Sequence, residues 1–372
     1  MKEIFVQSIY IFLLSFVIVY IITPKIIKVV IHKSLMDQPN NRSSHINATP
    51  NLGGIAIYIA LIFSFYFIEP VDKYNVLNTL IPGLTILFII GLKDDLVVLS
   101  PITKLFAEII ASSFITFHEK FSIENLHGFL GIDHIPVYIS IPLEILVLIT
   151  IINAYNLIDG LDGLASTIGV IIFSTFGVLF YITHEYYMLL LSVVLVASLL
   201  AFLRFNFSKN KKIFLGDTGS LIIGFMIGVM TLRFLSLSYL ELNKLPFKIQ
   251  NIPLVALTIL IFPIFDLTRI IIIRLWNKKS PFQPDRNHTH HLLIDYLKLS
   301  HYKISLLIGT LNILLILSFS QLLTIYNQYI ILLFYFIILF TFNSYLFHIS
   351  ANEKCEILKN KIFIFFKKNK TI

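Results

Sequence analysis

The chain has 372 residues, 57% of them hydrophobic and only 13% charged, with a mean hydropathy of +0.85. Soluble domains carry roughly 25% charged residues, so this composition excludes a water-soluble globule and makes the fold class all-α, a polytopic integral membrane protein in the lipid bilayer. The net charge of +8 has no soluble basic domain to bear it, which excludes nucleic acid as a partner, and the single Cys355 excludes an internal disulfide.

Apolar runs long enough to cross a bilayer predict about eleven transmembrane helices. The first, 4–22, is longer than the roughly 7–15 residues of a secretory h-region and meets Pro24 and Lys25 rather than a cleavage site, so it reads as an uncleaved span. Runs 52–68 and 77–92 follow, the second leading into "GLKDDL". The fourth, 104–117, is short and carries Glu108. Run 141–157 ends in "NAYNLIDGLDGLAS", and 164–182 continues from it. Run 187–203 leads through "FLGDTGS" to 219–235. The ninth, 253–275, holds Asp266, with Pro263 one turn earlier where it should kink the helix. After "SPFQPDRNHTHHLL" come 304–324 and 328–347. No internal repeat or low-complexity linker interrupts the series, so residues 1–372 read as a single transmembrane domain.

Lys and Arg in short loops set orientation. Loops 24–50, 92–104, 204–217 and 274–302 and the tail after 347 carry 21 of them, against five on the other side. The first side is therefore expected to be cytoplasmic. Every polar cluster falls on it, which predicts one site assembled from several cytoplasmic loops.

Each cluster has a bland alternative. Asn153, Asn156, Asp159 and Asp162 recur every third residue, a spacing that puts neighbours on one helix face. A polar turn capped by aspartate would explain one carboxylate but not two preceding amides, so a functional role is favoured. Asp94 and Asp95 point about 100° apart on a helix, so one should face the site while the other orients it. Alone, they would read as a solvated acid pair beside Lys93. Asp217 lies between glycines, where it or Thr218 could cap the next helix, but where a hard cation would also find a carboxylate. Asp285, Arg286, His288, His290 and His291 follow Lys278 and Lys279. Three histidines suggest zinc, yet the neighbouring Arg286 suits phosphate better. Asp266 is an intramembrane carboxylate and so a functional candidate, with Arg269 or Arg274 as its bland partner.

Many carboxylates on one face require a cation, and an oxygen-rich set suits Mg²⁺, with Mn²⁺ as the substitute. A metal with Arg and His is what a diphosphate needs. A site at the membrane surface points to a lipid co-substrate. These residues thus predict metal-dependent phosphoryl transfer between a soluble diphosphate and a lipid. The rival reading is a transporter of an anionic substrate, which should show paired helix breaks near mid-bilayer; no repeat supplies them.

From "PNNRSSHINATPNLGGIAI" through "GLKDDL", "NAYNLIDGLDGLA", "FLRFN" and "FLGDTGSL" to "PDRNHTHHLL", over roughly residues 37–295, the chain resembles the polyprenyl-phosphate N-acetylhexosamine-1-phosphate transferases, integral membrane enzymes of bacterial surface-glycan synthesis. Within that superfamily the muramoyl-pentapeptide branch has a Lys three residues after its Asp pair, where this chain has Val98. That branch also has three consecutive histidines, where this chain has His-Thr-His-His. Both departures resemble the branch using UDP-N-acetylglucosamine or a close UDP-N-acetylhexosamine, with undecaprenyl phosphate as acceptor. The resemblance implies a multi-pass protein of the bacterial inner membrane, with a homodimer left open. It implies Asp217 as principal Mg²⁺ ligand with Asn156 near it, and Asp94 facing the lipid phosphate with Asp95 beside it. Asn156, Asp159 and Asp162 would line the nucleotide-sugar site, Asp162 near the uracil and Phe214 stacked on it. Arg286, His288, His290 and His291 would hold diphosphate and sugar, and Asn206 and Lys104 would contact substrate.

Overall fold

The computed structural model describes residues 2–37, 48–68, 71, 75–278, 280 and 288–345. Helices dominate. In chain order they are α1 (Lys2–His32), α2 (Gly54–Ile68), α3 (Val76–Leu96), α4 (Pro101–Thr116), α5 (Val137–Ile158), α6 (Leu164–Thr183), α7 (Tyr186–Asn206), α8 (Gly216–Leu235), the short α9 (Tyr239–Leu242), α10 (Ile252–Ile259), α11 (Ile261–Trp276), α12 (Thr289–Leu297), α13 (His301–Ile325) and α14 (Gln328–Tyr345). Beside them lie two 3₁₀ turns, Glu119–Phe121 and Ile249–Asn251, and two small antiparallel ladders: β1 (Met36–Asp37) with β2 (Thr49–Pro50), and β3 (Asn125–Phe129) with β4 (Ile132–His134).

All eleven apolar runs fall on helices, but they do not cross alike. Eight helices among the described residues are long and apolar enough to span, and α10 with α11 makes a ninth span only as a bent pair. Helices α2 and α4 have 15 and 16 residues, about 22–24 Å at 1.5 Å per residue, short of a roughly 30 Å hydrocarbon core. The bend between the two halves of the ninth run is 73°. It falls at Leu260, just before Pro263, whose ring crowds the carbonyl four residues back and whose nitrogen cannot donate to it.

Helix α8 is the axis of the bundle. Every residue from Thr218 to Phe234 is buried, as expected of a helix that is apolar all round. Helices α2, α3, α5, α6 and α10 pack around it, while apolar side chains of α1 such as Phe5, Leu13 and Val17 point outward, as lipid-facing residues would. Because α3 and α5 pack on α8 and end where it begins, two C-termini and one N-terminus meet at one face. At the other end of α8, Arg233 is paired with Glu185 at 2.6 Å and Glu241 at 3.6 Å. On that same side Gln328 accepts from the Leu130 amide of the β3–β4 hairpin.

Candidate active site

The N-terminus of α8 is built by a turn that only glycine allows. Gly216 has φ +73°, and a Cβ there would overlap the Asn51 carbonyl oxygen and lie within 2.7 Å of both Asp95 carboxylate oxygens. Asp95 accepts hydrogen bonds from the Asp217 amide at 2.9 Å, the Thr218 amide at 3.0 Å and the Thr218 hydroxyl at 2.5 Å. The helix is thus capped by a carboxylate from α3, not by Asp217 or Thr218. That leaves the Asp217 side chain directed into the site, and the positive helix end favours its charge and that of Asp95.

Asp94 turns the other way. Its Oδ1 accepts from the Leu99 amide at 2.6 Å, and its Oδ2 lies 2.6 Å from Lys104 Nζ. The same ammonium lies 2.8 Å from Asp217 Oδ2. Lys104 enters because Ser100 caps α4, accepting from the Thr103 amide with Pro101 as first helical residue. Asn156 completes the group from α5, its amide nitrogen 2.5 Å from Asp217 Oδ1 and 2.7 Å from Ser220 Oγ. One turn earlier, Asn153 donates to the buried Glu108 of α4 at 2.5 Å.

The four-residue series does not hold one face throughout. Helix α5 ends at Ile158 with Asp159 as its C-cap, so the threefold spacing is helical only as far as Asp159. Beyond it the glycine-bearing turn redirects the chain. Asp162 faces away, paired with Lys212 at 2.7 Å and His301 at 3.1 Å. The environments of the two aspartates are opposite in effect. Burial, followed by the carboxylates of Asp217, Asp95 and Asp162, pushes the Asp159 carboxyl well above the ordinary range. Burial also works against ionised Asp162, but hydrogen bonds from His301 and Lys212 outweigh it and hold that carboxyl below the ordinary range.

Phe214 lies beside Asp162: the Lys212 ammonium sits 5.0 Å from its ring centroid. Asn206 is buried at the end of α7, with its amide engaged by the Gly163 amide and the Ile213 carbonyl. Its contacts therefore fix two loops.

The histidine segment arrives from α11. Buried Asp266 lies 2.8 Å from His288 Nδ1 and accepts from the Thr289 amide at 2.8 Å. Its partners among the described residues include the start of α12 rather than only a neighbouring arginine. His288 and His290 stack with ring centroids 5.5 Å apart, and His290 Nε2 lies against Gly160 so closely that a Cβ there would be 2.5 Å from it. Asp285 and Arg286 and the side chain of His291 lie outside the described residues. The sites of Asp94, Asp95, Asn156, Asp159, Asp217 and His290 thus converge on one face. Asp162 and Phe214 form an adjoining cluster with Lys212 and His301. Sequence reasoning did not single out Lys212, which it counted only towards orientation, or His301, whose one signal was a serine before it able to cap a helix.

Two carboxylates already share one cationic group, and the Asn156 amide adjoins one of them. Such a set fits a hard divalent ion, which takes one or two carboxylates and completes its shell with water and substrate phosphate.

The sequence model for glycosyl transferase family 4 matches residues 77–235, the segment carrying Asp94 through Asp217. A probable undecaprenyl-phosphate N-acetylglucosaminyl 1-phosphate transferase of Bacillus subtilis is 35% identical over 291 residues, 78% of each chain. The chain belongs to glycosyl transferase family 4. Within the family it is also similar to an undecaprenyl-phosphate alpha-N-acetylglucosaminyl 1-phosphate transferase of Yersinia pestis, at 28% identity over 77% of this chain and 76% of the other. A decaprenyl-phosphate N-acetylglucosaminephosphotransferase of Mycobacterium leprae is 30% identical over 73% and 72%. The family read from the motifs is therefore the one to which the chain belongs, and the transporter reading falls away.

Proposed function

We propose that the protein transfers N-acetylglucosamine-1-phosphate from UDP-N-acetylglucosamine to undecaprenyl phosphate, releasing UMP, with Mg²⁺ bound at the cytoplasmic face of the inner membrane. The observation that carries the reading is the junction of Asp94 and Asp217 on one cation position, Lys104 Nζ, at 2.6 and 2.8 Å, beside Asn156 and the histidine segment. The activities for which the relatives are named support the donor sugar and the lipid, and the bias of Lys and Arg supports the orientation.

In this reading an oxygen of the lipid phosphate attacks the β-phosphorus of the donor. A P–O bond forms to the lipid as the bond to the UMP oxygen breaks, and the electron pair leaves with UMP. A phosphomonoester has a second pKa near 6, so it is largely dianionic at neutral pH and needs little help from a base. The barrier is the meeting of two anions. Mg²⁺ held by Asp217 and Asp94 would neutralise the diphosphate there. Lys104 reaches the same place and supplies a second positive group. Asn156 keeps Asp217 aimed, and Asp95 keeps the start of α8 in position. Phe214 and Asp162 would receive the nucleobase, and Arg286, His288, His290 and His291 the diphosphate and sugar.

The test uses purified protein, undecaprenyl phosphate and a panel of UDP-sugars. UMP release from UDP-N-acetylglucosamine with Mg²⁺, abolished by EDTA and reduced about 100-fold in Asp217→Asn, is the expected result. Turnover of the muramoyl-pentapeptide donor alone would overturn the substrate, and indifference to EDTA would overturn the metal.

A further inference from the structure

Helix α13 lies beyond the segment matched by the family model, yet it reaches the donor end of the site. Its first residue, His301, places Nδ1 3.1 Å from Asp162 Oδ2, and Ser305 one turn on donates to the Asp162 carbonyl at 2.7 Å. The helix is set firmly there. Gly309 packs against Thr167 of α6, and the Tyr302 ring meets Phe207 edge-on at 4.8 Å. Asp162 Oδ2 therefore has two nitrogen donors, His301 and Lys212, while Oδ1 receives no hydrogen bond from a described residue. Lys212 in turn covers the Phe214 ring. An aromatic ring, an ammonium and a carboxylate oxygen with no hydrogen bond from a described residue thus adjoin one another. A pyrimidine base presents the matching groups: a π-face, ring carbonyls and a ring N–H.

We propose that His301 is a positioning residue for the nucleobase end of the donor. It acts through Asp162, holding that carboxylate so that Oδ1 faces the base N–H; without it the carboxylate turns about Lys212 alone. The proposal rests on the reading that Asp162 and Phe214 receive the uridine. The competing role is a helix staple, in which the His301–Asp162 contact only ties α13 to the turn before α6.

The experiment measures equilibrium binding of UDP, KM for UDP-N-acetylglucosamine and undecaprenyl phosphate, and Tm, for full-length wild type, His301→Ala and His301→Asn. Asn carries an amide nitrogen near the place of Nδ1 and can restore the bond. For His301→Ala we expect UDP affinity to fall and donor KM to rise about tenfold, the worth of one charge-assisted hydrogen bond, with acceptor KM unchanged, at most a small loss of Tm, and recovery in His301→Asn. Unchanged UDP affinity in His301→Ala would overturn the proposal. So would a fall in Tm with both KM values rising together, or no recovery with Asn. A wild type that binds UDP but does not turn over UDP-N-acetylglucosamine would instead sink the preceding reading and leave the binding comparison to judge His301.

Discussion

Lys104 bridges two carboxylates that would otherwise repel each other. Replacing it by Gln should destabilise the metal-free protein by about 1–3 kcal/mol, seen as a lower Tm in detergent. If a divalent ion takes the same place, millimolar Mg²⁺ should recover part of that loss, because a ligand that binds only the folded state stabilises it. Asp159 gives a prediction of opposite sign. Its folded pKa lies above its unfolded one, so its contribution is fully present below about pH 4 and is lost as pH rises toward the folded value. Asp159→Asn removes that loss. Its Tm relative to wild type should rise as pH climbs above about 4, while activity falls. A difference in Tm that is flat with pH would contradict the upward shift of this carboxyl.

Elements explain why some of the site was legible in sequence and some was not. The turns after α3 and α5 and before α8 stood out because carboxylates between long apolar runs are costly unless something binds them. The different directions of Asp94 and Asp95 followed from helix geometry alone. What the periodicity could not give was where α5 stops, since that depends on a turn whose glycines end the helix and send Asp162 to Lys212 and His301. Nor could it reveal pairs made across the bundle, such as Asn153 with Glu108 or Asp266 with His288, because their partners are 45 and 22 residues away in sequence. Hydropathy also marks the runs of α2 and α4 as apolar without telling that these helices, at 15 and 16 residues, fall short of a full span. The joint between α3 and α8 is open to direct test. Gly216→Ala must accept positive φ and displace Asn51 or Asp95, and should cost at least about 2 kcal/mol, read as a lower Tm. A well-folded, fully active variant would show that the turn can be rebuilt.

Across the whole molecule, one face gathers the acids, amides and histidines and the other the Arg233–Glu185 pair and the β3–β4 hairpin. In the orientation proposed above, the first face is cytoplasmic, and that orientation expects Cys355 on the same side. Cys355 is the sole cysteine, so it reports that assignment without engineering. A membrane-impermeant maleimide should label it in inverted vesicles but not in intact cells; labelling of intact cells would reverse the topology. The broken ninth span has a mechanical corollary. Its second half carries Asp266, which grips the first residues of α12, so a change in the pitch of that half-helix reaches the imidazoles as displacement. Hydrocarbon thickness then becomes a variable of turnover. Nanodiscs made with shorter or longer acyl chains should alter kcat in the wild type, and should do so less in Asp266→Asn, where the linkage is slackened.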